Sequence, residues 1–209
     1  MTAQFHHAYM HPMRWCIKNT LGAIAEVSLG YPFRTGIKPI PGTTTAVVQM
    51  RDTSCTDGID WPSCVRTELP GKRKPDWLKP GDILFPTRGN LSCATLVDET
   101  IGDIQAVAAP HFFVLRIHQA DVLPAYVAWW LNQEPAQRHL EQQAQSSGIV
   151  RNISRTVLDT IPIAIPPLPR QQQITGLAQA MRHETQLLHQ LMQSNQQIMT
   201  GLARDLMAH

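Results

Sequence analysis

The sequence predicts an α+β fold: a mixed globular half of short strands and helices, followed by one long C-terminal coiled-coil helix. Three observations carry this. Short β-rich runs, separated by Pro-Gly and Asp-Gly turn signals, fill most of the first 165 residues. A proline-dense stretch, I-P-I-A-I-P-P-L-P-R from Ile161 to Arg170, then interrupts the chain. Beyond it, from Gln171 to Met207, apolar residues recur every three or four positions, the spacing of a helix seam. At 209 residues and 43% hydrophobic, the chain can build one good core plus an appendage. The division is therefore placed at residue 165, with a globular domain over 1–165 and an elbow and helix over 166–209.

Taken in order, residues 1–13 show no period and read as a loose lead-in. Leu21, Ile24, Ala25 and Val27 have helical spacing, so a short helix is expected within 15–34, stopped by Gly30 and Pro32. Thr44 to Met50 is a β-rich run that delivers Arg51, Asp52 and Thr53 at its end. Asp57-Gly58, Pro70-Gly71 and Pro80-Gly81 mark turns. Ile83-Leu84-Phe85 is a short strand leading into Pro86-Thr87-Arg88-Gly89-Asn90. Cys93–Val97 and Phe112–Ile117 read as further strands. Val122 to Gln143 reads as one helix, with Val122, Tyr126, Val127, Trp130, Leu131 and Leu140 near one face. Trp129-Trp130 is read as core packing rather than a base-stacking platform. Ser146-Ser147-Gly148 ends that helix, and Ser154 is placed to cap a short one over Arg155–Thr160.

Ile161, Ile163 and Ile165 alternate at period two, which suits a short buried strand. Pro166, Pro167 and Pro169 remove backbone donors and fix φ, so helix is expected to resume near Gln171. There Ile174, Leu177, Met181, Leu188, Leu191, Ile198 and Leu202 follow a heptad, with Glu184 and Asn195 in two seam positions. Asn195 weakens such a seam but can fix its register. Leu187, Met192, Met199 and Leu206 widen the stripe. Nine glutamines between 171 and 197 do not erase the period. Some 36 helical residues reach about 54 Å, too long to bury the stripe on a domain of this size. The helix needs a partner.

Composition limits the function. A net charge of +2 permits nucleic-acid binding without arguing for it, so local clusters must carry that case. One such cluster lies between Arg66 and Asn90, with six Lys/Arg against three Asp/Glu. Cys16, Cys55, Cys64 and Cys93 form no C-x-x-C and read as reduced thiols rather than a zinc site. No apolar run reaches membrane-spanning length, and the start lacks a signal-peptide pattern, so a cytoplasmic protein is expected. Phosphate-loop, nucleophile-elbow and H-E-x-x-H motifs are absent, as is the Asn/Asp-Pro-Pro-aromatic motif of amino-methyltransferases. A Cys93–His111 hydrolase can be drawn, but spacing alone gives it little support. No metal and no catalytic residue is assigned.

Four stretches in this order resemble the DNA-specificity (S) subunits of type I restriction–modification systems. They are L-G-A-I-A-E-V-S-L-G-Y-P-F-R (21–34), L-K-P-G-D-I-L-F-P-T-R-G-N (78–90), V-L-P-A-Y-V-A-W-W-L-N (122–132) and I-S-R-T-V-L-D-T-I-P-I-A-I-P-P-L-P-R-Q-Q-Q-I (153–174). The resemblance covers about residues 15–206 and is most specific at the hinge and helix. A full S subunit carries two recognition domains and two helices, where this chain has one of each. Arg170 stands where the family often has Glu. The resemblance implies a half-length, non-catalytic subunit with one target-recognition domain. Its helix would pair with a second half, an identical copy or another chain, to read a two-part duplex site. The implied partners are double-stranded DNA, methyltransferase (M) subunits and a restriction (R) subunit. No cofactor is assigned to this chain; S-adenosylmethionine is expected in the methyltransferase.

Arg88 and Asn90 have the chemistry to read guanine and adenine edges, and Arg51 and Arg66 are comparable candidates. Lys72, Arg73 and Lys74 suit phosphates. Arg151, Asn152 and Arg155 read either as backbone contacts or as a structural turn. The dimerisation helix is assigned to Ile174, Leu177, Met181, Leu188, Leu191, Asn195, Ile198 and Leu202. The rival reading is a coiled-coil protein-interaction adaptor without DNA specificity. Salt-dependent duplex binding would separate the two.

Overall fold

The computed structural model describes residues 17–71, 74–89, 93–143, 145–147 and 150–207. The first elements are β1 (Ile17–Thr20), α1 (Leu21–Ile24), β2 (Ala25–Leu29), β3 (Ala46–Val48), β4 (Thr53–Ser54), β5 (Gly58–Ile59) and β6 (Val65–Arg66). Next come β7 (Ile83–Pro86), β8 (Arg88–Gly89), β9 (Thr95–Leu96), β10 (Ala106–Ala108), β11 (Phe112–Ile117), α2 (Pro124–Leu131) and α3 (Glu134–Gln143). The chain finishes with β12 (Gln145–Ser147), β13 (Val150–Asn152), α4 (Arg155–Asp159), β14 (Pro162–Ile165) and α5 (Leu168–Met207). The fold is mixed α and β with one long C-terminal helix, as the sequence predicts.

A four-stranded antiparallel sheet, β2-β11-β7-β9, forms the centre. Its two middle strands are apolar at successive positions, so each strand feeds both faces. Ile83, Phe85, Phe113 and Leu115 point into one core with α1, α2, α3, α4 and β14. Leu84, Phe112 and Val114 point into a second core with β3, β10 and Trp61. That second core is closed by the sheet β10-β3-β6, parallel between β10 and β3 and antiparallel between β3 and β6. Gly30 sits where two backbones cross: a Cβ there would lie 2.0 Å from the Ala109 carbonyl oxygen. Arg116 bridges the surface of the central sheet, donating to both carboxylate oxygens of buried Asp82 at 2.9 and 3.0 Å and to Asp76.

Several expectations change. The helix expected across 15–34 is a single turn, and Ala25–Leu29 continues as a strand. Ala25 and Val27 face the core while Glu26 faces out, and pairing with β11 overrides local helical spacing. The single helix expected over Val122–Gln143 is two. Asn132 terminates α2 by clasping Ala94, its Oδ1 accepting the Ala94 amide and its Nδ2 donating to the Ala94 carbonyl, both at 2.8 Å. Pro135 then sits in the opening turn of α3, where its missing N–H is harmless. For the same reason α5 starts at Leu168, with Pro169 inside its first turn, three residues before the expected start. The Ser154 cap is present, its Oγ accepting the Val157 amide at 3.2 Å. Residues 1–13 lie outside the described residues.

The reading of four reduced thiols also changes. Cys55, in the β4–β5 turn, and Cys93, just before β9, are joined as a disulfide with Cα atoms 5.8 Å apart. They are 38 residues apart, and only the tertiary packing makes them neighbours. Cys64 is free and buried, and burial pushes its thiol up to about 12, so it stays protonated and unreactive.

β1 pairs antiparallel with β14, and the Leu21 amide donates to the Ile161 carbonyl at 3.0 Å. The segment before the elbow is thereby stitched into the domain. Gln171, one turn into α5, is fully buried. Its Nε2 donates to the carbonyls of Asp121 and Pro166, and its Oε1 accepts the Leu123 amide, all within 2.9 Å. Ile174 packs against the same core. Farther out, Gln186 Nε2 donates to the Thr56 carbonyl at 3.3 Å, so α5 also runs past the β4–β5 hairpin. No helix among the described residues is long and apolar enough to cross a membrane.

Candidate nucleic-acid interface

Pro86 ends β7, and the next residue, Thr87, is held on two sides. Its amide and hydroxyl donate to the His111 carbonyl at 2.8 and 3.2 Å, and its own carbonyl accepts the Ile153 amide at 2.8 Å. Ile153 is buried in the core, which anchors β13 beside β8. The result is a small antiparallel sheet, β12-β13-β8, in which Arg88 lies opposite Asn152 and Gly89 opposite Arg151. Residues 62 and 64 positions apart in sequence are thus brought to one ribbon. The Arg88 guanidinium reaches His111, Nη2 to Nε2 at 2.8 Å. Burial and the Arg88 charge both hold His111 protonation below the usual histidine range.

Chemically this ribbon offers a guanidinium, a primary amide and an imidazole on rigid backbone. Those groups can donate to base edges and to phosphates. Asn152 and Arg88 are both exposed. The sequence carries no signal for His111 in this role; spacing offers it only as a partner for Cys93, and the structure gives Cys93 to Cys55 and the His111 ring to Arg88.

The other candidates lie elsewhere. Arg51 is exposed in a one-turn 3-10 helix after β3, with its Nε 3.5 Å from the buried Asp52 carboxylate. Arg66 in β6 donates from Nη1 to the Thr44 carbonyl at 2.9 Å, beside an open depression lined by Asp103, Ile104 and Gln105. Both therefore belong with the β10-β3-β6 sheet and carry structural contacts. Arg155 starts α4 and pairs with Asp159 at 3.5 Å. Lys74 is exposed, whereas Lys72, Arg73 and Asn90 lie outside the described residues. Among the described residues, no group of three or more His, Cys, Asp or Glu is placed to hold a metal ion.

On α5 the assigned seam faces outward. Leu177, Met181, Leu188, Leu191, Ile198 and Leu202 are each more than half exposed, as are Leu187, Met192, Met199 and Leu206. Asn195 is exposed among them. Ile174 alone of the seam packs against the domain.

No protein-family model matches the chain, and no curated protein matches it. Solved structures do. The HsdS subunit from Thermoanaerobacter tengcongensis superposes with a TM-score of 0.58 at 16% identity, over 89% of this chain and 42% of that one. A chain from a structure on the complex assembly and conformational transition of the type I R-M system gives 0.62 at 16% identity, over 87% and 42%. The type I restriction–modification S subunit from M. genitalium gives 0.56 at 12% identity, over 89% and 44%. The fold is that of type I DNA-specificity subunits. This chain spans less than half the length of each of the three.

Proposed function

We propose that this chain is a sequence-specific, double-stranded DNA recognition subunit of a type I restriction–modification methyltransferase/endonuclease complex. The observation that supports this best is the S-subunit fold over nearly nine-tenths of the chain, joined to a helix whose apolar seam is uncovered. In this reading residues 1–165 are the target-recognition domain, and the ribbon of Arg88, Arg151 and Asn152 faces the major groove. The elbow and helix of residues 166–209 are the spacer. The α5 seam pairs antiparallel with the helix of a second half, either another copy of this chain or a different one. Domains held about 50 Å apart would face half-sites one to two DNA turns apart, at roughly 34 Å per turn. Two identical halves would read an inverted repeat. The chain itself is proposed to be non-catalytic. Methyl transfer and cleavage fall to partner M and R subunits, and S-adenosylmethionine is bound by the methyltransferase.

The test is a methylome. The chain is expressed with the methyltransferase encoded beside it, and modified bases are mapped by long-read sequencing. An interrupted palindrome that vanishes when the chain is omitted establishes specificity and self-pairing. An asymmetric interrupted motif keeps the function and assigns a different second half. A folded, bound methyltransferase with no chain-dependent motif would leave a protein-interaction adaptor instead.

A further inference from the structure

Arg88 is a long, exposed side chain on a two-residue strand, and left alone it would sample many rotamers. A guanidinium has only donors, so the 2.8 Å contact requires His111 Nε2 to be the acceptor. The ring must then be neutral, with its proton on Nδ1. His111 is itself a fixed post. Its carbonyl takes both the amide and the hydroxyl of Thr87, and the next residue begins β11 in the central sheet. One Nη2 hydrogen is thus taken by His111, while the other Nη2 hydrogen and a neighbouring N–H on the same edge can make the two-point contact to guanine O6 and N7.

We propose that His111 is a positioning residue that, as a neutral hydrogen-bond acceptor, aims Arg88 at a guanine in the recognised half-site. The proposal rests on the DNA-recognition reading above and adds a base and a mechanism to it. Among the described residues, Arg88 on β8 is the charged group acting on His111; Thr87, and Asn152 opposite Arg88 on β13, carry no charge. At neutral pH the acceptor is present. As the pH falls through the lowered His111 value, the imidazolium loses its acceptor and repels Arg88, and the arginine is released.

The test uses the full chain, assembled with its methyltransferase, against a pool of randomised duplexes whose bound fraction is sequenced at pH 7.5 and along a descending pH series. At pH 7.5 the wild-type chain should select a guanine at one position. Arg88→Ala and His111→Ala should each lose that preference by on the order of tenfold, with other positions intact. The double variant should be no worse than Arg88→Ala. His111→Gln, which offers an acceptor that does not titrate, should restore the preference and hold it at the acid end of the series, where the wild type loses it. The proposal is overturned if His111→Ala, shown folded by circular dichroism, keeps the guanine that Arg88→Ala loses. It is equally overturned if Arg88→Ala loses none. A wild-type chain that selects no sequence would remove the underlying DNA-recognition reading as well.

Discussion

The side-chain oxygen of Gln171 accepts the backbone amide of Leu123 at 2.8 Å, so the first turn of the long helix caps the start of α2. With its Nε2 bonded to two further carbonyls, Gln171 satisfies three buried backbone groups at once. Gln171→Leu keeps the volume and strands all three. It should lower unfolding free energy by about 1–3 kcal/mol, measured by urea denaturation. An unchanged midpoint would mean that water takes over the role of the amide.

The exposed seam makes a separate prediction. Leu188 and Leu191 are 54% and 57% exposed, so under the proposed pairing, with a second copy or another half, changing both to Glu should abolish association through α5 and leave the domain's stability within about 0.5 kcal/mol. Sedimentation velocity reads the first effect and thermal melting the second. A dimer that survives both charges would place the interface on another surface.

Asp82 is buried and its carboxylate depends on Arg116. Arg116→Met should destabilise the domain by roughly 2 kcal/mol or more, because a buried charge loses its partner. Arg116→Lys should recover little of this, since an ammonium cannot make the two parallel contacts. Asp76→Asn should matter less, because Asp76 is half exposed. Denaturant titration of the three variants ranks them.

The Thr56 and Ser54 hydroxyls, partly offset by desolvation, hold the Asp57 carboxyl below the usual carboxylate range, with Gln186 and His189 of α5 adding to the effect. The folded chain therefore binds this proton less readily than the unfolded one. The resulting stability is present above the ordinary aspartate value and is lost as the pH falls through the lowered one. Asp57→Asn should flatten the acid limb of a stability–pH profile below about pH 4, without altering the slope near pH 7. An unchanged acid limb would show that the Thr56 and Ser54 hydrogen bonds to this carboxylate are not populated in solution.

Legibility in the sequence tracked how local each cause was. Phe112–Ile117 announces itself through β-branched and aromatic content, and Ser154 through capping chemistry, and both stand where expected. The C-terminal helix is legible because its period persists over four heptads. Ala25–Leu29 misleads because its helical spacing loses to five partners on β11 that no window of sequence contains. Asn132 hides the break between α2 and α3, since its partner Ala94 is 38 residues away. The ribbon was half legible. Arg88 and Asn152 stood out by chemistry, whereas their apposition, and the turn of His111 toward Arg88, come from strand register alone.

The central sheet is a wall shared by two cores, with neighbouring residues of β7 and β11 turned into opposite ones. Neither core can melt and leave the other standing, because losing either one strips a face from the same strands. Amide hydrogens of Leu84 and Val114 should therefore exchange with deuterium only through opening of the whole domain. Amides of α5 past His189 have no such dependence in an isolated chain and should exchange by fraying. Slow exchange there would be the imprint of a bound companion helix.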